Sequence, residues 1–122
     1  IKKGPMAIFS ALIEFFVGLL EIISEIKKSL GPLMTKRDDQ VQLFKGKGCD
    51  ECGQSGYFGR VGIFEVMPIS DAIAKLIMQR ADSATIEREA IVEGMITMKQ
   101  DGYLKVLDGI TTVDEILRVA QE

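Results

Sequence analysis

The 122-residue sequence contains no histidine. Without imidazole it offers no histidine general base, no Ser-His-Asp triad and no histidine-ligated metal site. Its two cysteines allow one disulfide at most, or half of a four-thiolate zinc site. It has neither a GxxxxGK[ST] nor a GxGxxG loop, the glycine-rich patterns that bind nucleotide phosphates. These absences favour the hypothesis that the chain is a working part of a larger assembly rather than a complete enzyme.

The composition is that of a folded protein with no electrostatic attraction to nucleic acid. Hydrophobic residues make up 47% of the chain and charged residues 27%, which argues against intrinsic disorder. Fifteen Lys and Arg are outnumbered by eighteen Asp and Glu, for a net charge of −3. We therefore expect no nucleic-acid recognition.

The sequence divides near Gln40. Residues 1–40 carry six basic and five acidic side chains, a balance of +1, whereas residues 41–122 carry nine and thirteen, a balance of −4. An apolar run ends at Gly31-Pro32, a helix stop, and a charged stretch follows at 35–39. We predict an apolar helix with a charged linker over 1–40 and a compact domain over 41–122.

The N-terminal helix is predicted to be amphipathic with a wide apolar face. Its polar or small residues recur at steps of three and four, which places them on one stripe of a helix: Ser10, Glu14, Gly18, Glu21, Glu25 and Lys28. Three interpretations stay open: packing on a protein surface, membrane contact through residues 6–26, and a membrane-spanning helix. The acidic stripe disfavours an anionic lipid surface, and its carboxylates are costly within a bilayer. Residues 14–26 also faintly resemble a membrane helix of the ATP synthase a subunit, so residues 1–40 are a foreign or divergent piece in this interpretation.

Cys49 and Cys52 form a CxxC motif followed at once by Gly53. This spacing turns two thiolates onto one metal ion, so both are candidate Zn²⁺ ligands. Structural zinc normally takes four ligands, and no other cysteine or histidine supplies the second pair, so the site is predicted to be incomplete. A thioredoxin-like redox role is disfavoured, because its CxxC should open a helix. Glycines and an alternating apolar pattern over 57–66 predict a β-ribbon over 41–68.

Arg60 is the one charged residue between Gly53 and Gly62. A structural or inter-subunit salt bridge and a solvent-facing strand position are equally good interpretations of it. No paired carboxylates at catalytic spacing are found, so we predict no catalytic residue.

Residues 69–122 are predicted to form a small four-helix bundle. The helices are expected over Ser70–Gln79, from Ser83 to a stop at Gly94, over Thr97–Leu107, and from Thr112 onward. Thr112-Val-Asp-Glu115 has the spacing of a capping box. The predicted core residues are Ile73, Leu76, Ile77, Ile86, Ala90, Ile91, Met98, Tyr103, Leu104, Leu107, Val113, Ile116, Leu117 and Ala120. The predicted fold class is therefore α+β: an N-terminal apolar amphipathic helix, a glycine-rich β-ribbon with a CxxC knuckle, and a C-terminal four-helix bundle.

Several motifs over residues 43–121 closely resemble the C-terminal region of the GspE/PilB family, the hexameric ATPases of type II secretion and type IV pilus assembly. They are, in order, Gly48-Cys-x-x-Cys-Gly-x-x-Gly-Tyr-x-Gly-Arg-x-Gly-Ile-Phe-Glu-Val, Asp71-Ala-Ile-Ala-Lys-Leu-Ile, Gly94-Met-Ile-Thr-Met-Lys-Gln-Asp-Gly102 and Gly109-Ile-Thr-Thr-Val-Asp-Glu-Ile-Leu-Arg-Val119. In this resemblance Cys49 and Cys52 match the second CxxC of a zinc-binding tetracysteine. The first pair is expected upstream, where the apolar helix stands instead.

The resemblance implies a cytoplasmic motor, peripheral to the inner membrane, whose core hydrolyses ATP with Mg²⁺. Its partners are the other subunits of a homo-hexameric ring and an inner-membrane platform protein. This sequence lacks the Walker A and B segments, so ATP and Mg²⁺ are expected only in a full-length parent, and this chain is expected to transmit force rather than hydrolyse nucleotide. Two other hypotheses stay open: a zinc-knuckle adaptor that dimerises through its CxxC pairs, and a small membrane-tethered protein.

Overall fold

The computed structural model describes residues 5–37 and 40–120, with side chains from residue 18 onward. The chain divides into two compact units, Ile1–Gln42 and Leu43–Glu122. The first contains helix α1, Pro5–Leu30, and a 3-10 turn, Gly31–Leu33. Gly31 takes φ +50°, a left-handed conformation that ends an α-helix, so the predicted stop at Gly31-Pro32 is confirmed.

Most of the apolar face predicted for α1 lies outside the described side chains. Within the part of α1 that can be described, Ile26 and Leu30 are buried and Leu20 is exposed. No helix among the described residues is both long enough and apolar enough to cross a bilayer. Membrane contact through residues 6–26 stays a prediction.

Over residues 43–120, the described part of the second unit, four helices are joined by short connections. They are α2, Asp71–Met78; α3, Ser83–Val92; α4, Met98–Leu107; and α5, Val113–Val119. Helix α2 packs on α3 and α4 packs on α5, so the predicted bundle is organised as two helix pairs.

The prediction of an α+β fold with a β-ribbon over 41–68 is wrong. Over the described part of the chain, 5–37 and 40–120, no residue lies in a β-strand. A strand needs a partner to satisfy its backbone groups, and the ribbon pattern offered none. Gly56 and Gly59 also adopt left-handed φ values of +79° and +70°, which break an extended run.

Hydrogen bonds to α4 take the place of the missing strand partner. The backbone N–H of Phe64 donates to Asp101 Oδ2 of α4 at 2.9 Å. The Glu65 carboxylate accepts from the Met98 N–H, at the start of the same helix, at 3.0 Å. Lys105 completes the contact, with its Nζ 2.5 Å from Asp101 and 6.0 Å from the centre of the Phe64 ring. Residues 64–65 are thereby attached to α4 as an irregular segment.

The four helix starts are fixed by local side chains. Ser70 accepts from the Ile73 N–H, and Thr112 accepts from the Glu115 N–H. The predicted cap at Ser83 is displaced by one residue, because Asp82 accepts from the Thr85 N–H instead. The capping box also lies elsewhere than predicted. It joins Thr97 and Gln100 at α4, whereas Glu115 turns to Arg118, 2.7 Å away.

The helix pairs have separate cores. Ile73, Ala90 and Met95 are buried together in the first pair, with Met67 and Ile86 packed against them. The buried residues of the second pair are Gly102, Tyr103, Val106, Leu107, Val113 and Ile116. Four predicted core residues, Ile77, Ile91, Met98 and Leu117, are 40% or more exposed instead.

Gly102 marks the closest approach of α4 to α5. A Cβ atom there would lie 2.8 Å from Cδ1 and 2.9 Å from Cγ2 of Ile116, a side chain that is 2% exposed. The glycine is therefore required by tertiary packing, although the sequence pattern predicts core side chains on either side of it.

We expect Gly102→Ala to destabilise the chain by about 1–3 kcal/mol, the usual cost of overpacking a core, despite the better helix propensity of alanine. Urea unfolding followed by circular dichroism measures this. In an Ile116→Val background, which lacks Cδ1, the same substitution should cost less. An equal loss of unfolding free energy in both backgrounds would contradict the close contact between residue 102 and Ile116.

Asp101 gives a pH-dependent contribution to stability. Partial burial raises its pKa, but the hydrogen bonds from Lys105 and the Phe64 N–H outweigh burial, so the pKa is lowered in the folded state. A lowered folded pKa contributes stability above the ordinary aspartate range, and that stability is lost as the pH falls through the folded value.

We expect Asp101→Asn to lose about 1.5 kcal/mol of unfolding free energy at neutral pH, the low end of the range for hydrogen bonds to a charged group. The difference from the unsubstituted chain should vanish in acid, where Asp101 itself is protonated. Urea midpoints across the pH range measure it, with Glu87→Gln on the exposed side of α3 as control. A difference that persists unchanged in acid would refute the role of the charge.

Candidate functional site

The CxxC motif lies on a loop that is closed at its base by glycines. The backbones of Gly46 and Gly56 meet so closely that a methyl group on Gly46 would overlap the Gly56 carbonyl. One step further out, a Cβ on Gly48 would lie 2.7 Å from the carbonyl oxygen of Gln54. Only glycine fits at these crossings, which defines residues 46–56 as a closed unit that we call the cysteine loop.

The tip of the cysteine loop is a hydrogen-bonded turn. The Gln54 N–H donates to the Cys49 carbonyl at 2.8 Å, and the Gly53 N–H donates to the Asp50 carbonyl at 3.2 Å. Gly53 and Gln54 both take left-handed φ values, +60° and +64°. The Gln54 side chain also donates to the Asp50 carboxylate at 2.9 Å. These bonds hold both cysteines on the same turn.

The two sulfurs are brought together as the spacing predicts. Cys49 Sγ lies 3.5 Å from Cys52 Sγ, and both cysteines are free thiols. Cys52 Sγ accepts the Cys49 N–H at 3.1 Å and the Gly56 N–H at 3.4 Å. Cys49 is exposed, whereas Cys52 is half-buried.

These contacts favour the thiolate form of Cys52. The N–H groups of Cys49 and then Gly56 lower its pKa from 9.0 to about 7, and slight desolvation opposes them only in part. A hydrogen-bond donor stabilises the negative sulfur more than the neutral thiol. The sequence alone does not reveal the full effect on the pKa, since part of it depends on Gly56 folding back over Cys52.

The described residues do not complete a zinc site. A tetrahedral structural site needs four ligands, and no cluster of three or more His, Cys, Asp or Glu suited to a metal occurs in the described part of the chain. Of the two carboxylates between the cysteines, Asp50 is bonded to Gln54 instead. The chain's own residues therefore fit half of a zinc site.

Arg60 is exposed and forms no ion pair with another described residue, so the inter-subunit and solvent-facing interpretations both stay predictions. It lines a surface groove of about 450 Å³ between the 56–63 segment and α5, together with Glu115 and Arg118. Glu115 and Arg118 are joined by two hydrogen bonds, of 3.0 and 2.7 Å. Arg60 is therefore available to a partner.

Tyr57 joins the cysteine loop to α5, a role that the sequence pattern did not predict. Its hydroxyl lies 2.8 Å from Thr112 Oγ1, the cap of that helix, across 55 residues of sequence. Neither residue carries a local signal for this pairing. The bond fixes the exit of the cysteine loop on the second helix pair.

The segment that follows exposes a continuous series of large apolar side chains. We call it the 57–69 surface; its exposed members are Tyr57, Phe58, Val61, Phe64, Val66 and Ile69. Phe58 is 83% exposed and Val66 is 71% exposed. Phe64 and Val66 also border a groove of about 460 Å³ against α3 and α4. Contiguous exposed apolar residues are typical of a contact surface.

Comparison with known proteins gives matches to one group. A family model described as "Type II/IV secretion system protein" matches residues 16–118. The chain is 39% identical over 75 residues to the type IV pilus assembly ATPase PilB of Myxococcus xanthus, covering 62% of this chain and 13% of that protein. It is 41% identical over 80 residues to type II secretion system protein E of Pseudomonas aeruginosa, covering 66% and 16%.

Another relative matches over a longer stretch of the chain. The chain is 32% identical over 103 residues to the type IV pilus assembly ATPase TfpB of Acinetobacter baylyi, covering 81% of this chain and 17% of that protein. The chain thus spans less than a fifth of the length of these relatives. The resemblance found over residues 43–121 is confirmed.

The lowered pKa of Cys52 predicts its reactivity. In a Cys49→Ser variant, which keeps the backbone N–H of residue 49, we expect Cys52 to be alkylated by iodoacetamide with a half-maximal rate near pH 7, because the thiolate is the nucleophile. Mass spectrometry of timed samples gives the rate at each pH. A midpoint at the ordinary thiol value of 9.0 would contradict the hydrogen bonds to this sulfur.

Proposed function

The chain belongs to the type II/IV secretion system protein family, and we propose that residues 43–121 are the C-terminal region of a hexameric ATPase that powers type II secretion or type IV pilus assembly. In this proposal the region is a structural, force-transmitting part of the motor and has no nucleotide site of its own. Residues 1–40 precede it as the apolar helix and linker.

The 57–69 surface is the observation that carries the proposal. Its side chains follow directly on the matched cysteine loop and remain exposed although two helix pairs with buried cores lie in the same unit. Burying them against further protein would release roughly 25 cal/mol for each Å² of apolar area. We assign that covering role to the ATP-hydrolysing core of the parent motor.

The contacts of the second unit suit the transmission of force. The Phe64 backbone N–H and the Glu65 carboxylate are bonded to α4, and Tyr57 is bonded to the cap of α5. A displacement applied to the 57–69 surface would therefore be passed to the second helix pair rather than absorbed by a loose loop. Arg60, without an ion-pair partner among the described residues, is available to a neighbouring subunit.

The remaining features of the motor follow as part of the same proposal. The sequence has no GxxxxGK[ST] loop, so ATP and Mg²⁺ would be bound by the rest of the parent. Its partners would be the other subunits of the ring and a platform protein at the inner membrane. The motor would be cytoplasmic and peripheral to that membrane.

A graft into a relative tests this function. The matching segment of the type IV pilus assembly ATPase PilB of Thermus thermophilus, 41% identical over 77 residues, would be replaced by residues 43–120 of this chain. We expect the graft to assemble and hydrolyse ATP at a rate within about tenfold of the relative's own, and the isolated chain to hydrolyse none.

Two matched substitutions locate the contact. Val66→Asn on the 57–69 surface should lower ATP hydrolysis of the graft at least severalfold, because a buried amide without a partner is costly. Val92→Asn on α3, where the valine is 79% exposed, should leave the rate unchanged. A graft that forms rings but hydrolyses no ATP, or one in which both substitutions have the same effect, would reject the proposed contact.

A further inference from the structure

The cysteine loop supplies two of the four ligands that a structural zinc site needs, and this has a chemical consequence. Two thiols lie side by side on one turn, and the described residues hold no third ligand near them. We propose that Cys49 and Cys52 form a reversible intramolecular disulfide and that small-molecule disulfides, such as oxidised glutathione, are the oxidant that this pair takes. The inference goes beyond the motor function and does not depend on it.

The sulfurs are already in contact. Their separation is 3.5 Å, compared with about 2.05 Å in a disulfide, so closure requires a movement of about 1.5 Å between two atoms at the ends of short side chains. The exposure of Cys49 lets a small disulfide approach the pair from solvent. The crossing of Gly46 and Gly56 keeps the ends of the loop together, so closure need not reorganise the rest of the unit.

The exchange balances without a metal or a further reductant. One cysteine, as its thiolate, attacks a sulfur of R–S–S–R; the S–S bond breaks and R–S⁻ leaves, taking up a proton to become R–SH. The second cysteine, as its thiolate, attacks the cysteine sulfur of this mixed disulfide, forms the Cys49–Cys52 bond and releases the second R–SH. Two protein thiols are oxidised by two electrons, and one small disulfide is reduced to two thiols.

The structure favours a self-contained pair over a catalyst of disulfide exchange. In thioredoxin-like proteins the CxxC opens a helix, whereas residues 50–54 here form a turn that is followed by irregular chain. The other cysteine, 3.5 Å away, resolves a mixed disulfide faster than a second protein can reach it. The product is therefore the internal disulfide of the cysteine loop.

The test uses the full 122-residue chain equilibrated in buffers of defined reduced and oxidised glutathione. After acid quenching, mass spectrometry should show the loss of about two mass units, for two hydrogens, with no glutathione adduct accumulating. Cys49→Ser and Cys52→Ser are the matched controls. Each keeps one thiol and should accumulate the mixed disulfide with glutathione.

Zinc binding is the alternative to disulfide formation by these two cysteines, and the same experiment tests it. We expect equimolar zinc to slow oxidation less than about twofold, since two ligands hold the ion weakly. The inference is overturned if the unsubstituted chain stops at the glutathione adduct. It is also overturned if zinc binds at about half an equivalent per chain in a dimer and blocks oxidation, which would instead support the dimerising adaptor.

Discussion

The close approach of Gly46 to Gly56 is the constraint on which the rest of this site depends. The chain can cross itself there only because neither residue carries a Cβ. The crossing turns Gly56 back over the loop, so that its N–H reaches Cys52 Sγ. It also directs the chain onward so that Tyr57, the next residue, bonds to Thr112. The chemistry of the sulfur and the attachment to α5 thus follow from one backbone contact.

Local signals were sufficient to predict the helices that follow. Helices expected to begin at Ser70, Thr97 and Thr112 have these residues as their caps, and the cap expected at Ser83 lies one residue earlier at Asp82, because capping involves residues only two or three apart. The strand prediction failed for the opposite reason. Alternation of apolar residues over 57–66 is the pattern of a single strand. Whether a second strand exists to pair with it depends on the whole chain.

In the candidate site too, some features can be predicted from local sequence, whereas others depend on tertiary contacts. The proximity of Cys49 and Cys52 follows from their spacing, and the structure confirms it. The lowered pKa of Cys52 also needs the N–H of Gly56, and the role of Gly102 needs Ile116, fourteen positions further on. Without knowledge of which helix contacts which, a glycine within a helix could be recognised only as a weak point.

Specific bonds to α4 hold residues 64 and 65 of the 57–69 surface in place, and this supports the proposal that it is a docking surface. An apolar segment without structure of its own would be expected to collapse onto the nearest core. Here Asp101 holds the Phe64 N–H and the Glu65 carboxylate holds the Met98 N–H, so the backbone is fixed while the rings and methyl groups remain in solvent. Holding apolar side chains outward costs free energy in the isolated unit. Covering these side chains with another surface would offset that cost, so the bond that holds the Phe64 backbone on α4 supports the proposal that Phe64 belongs to an interface.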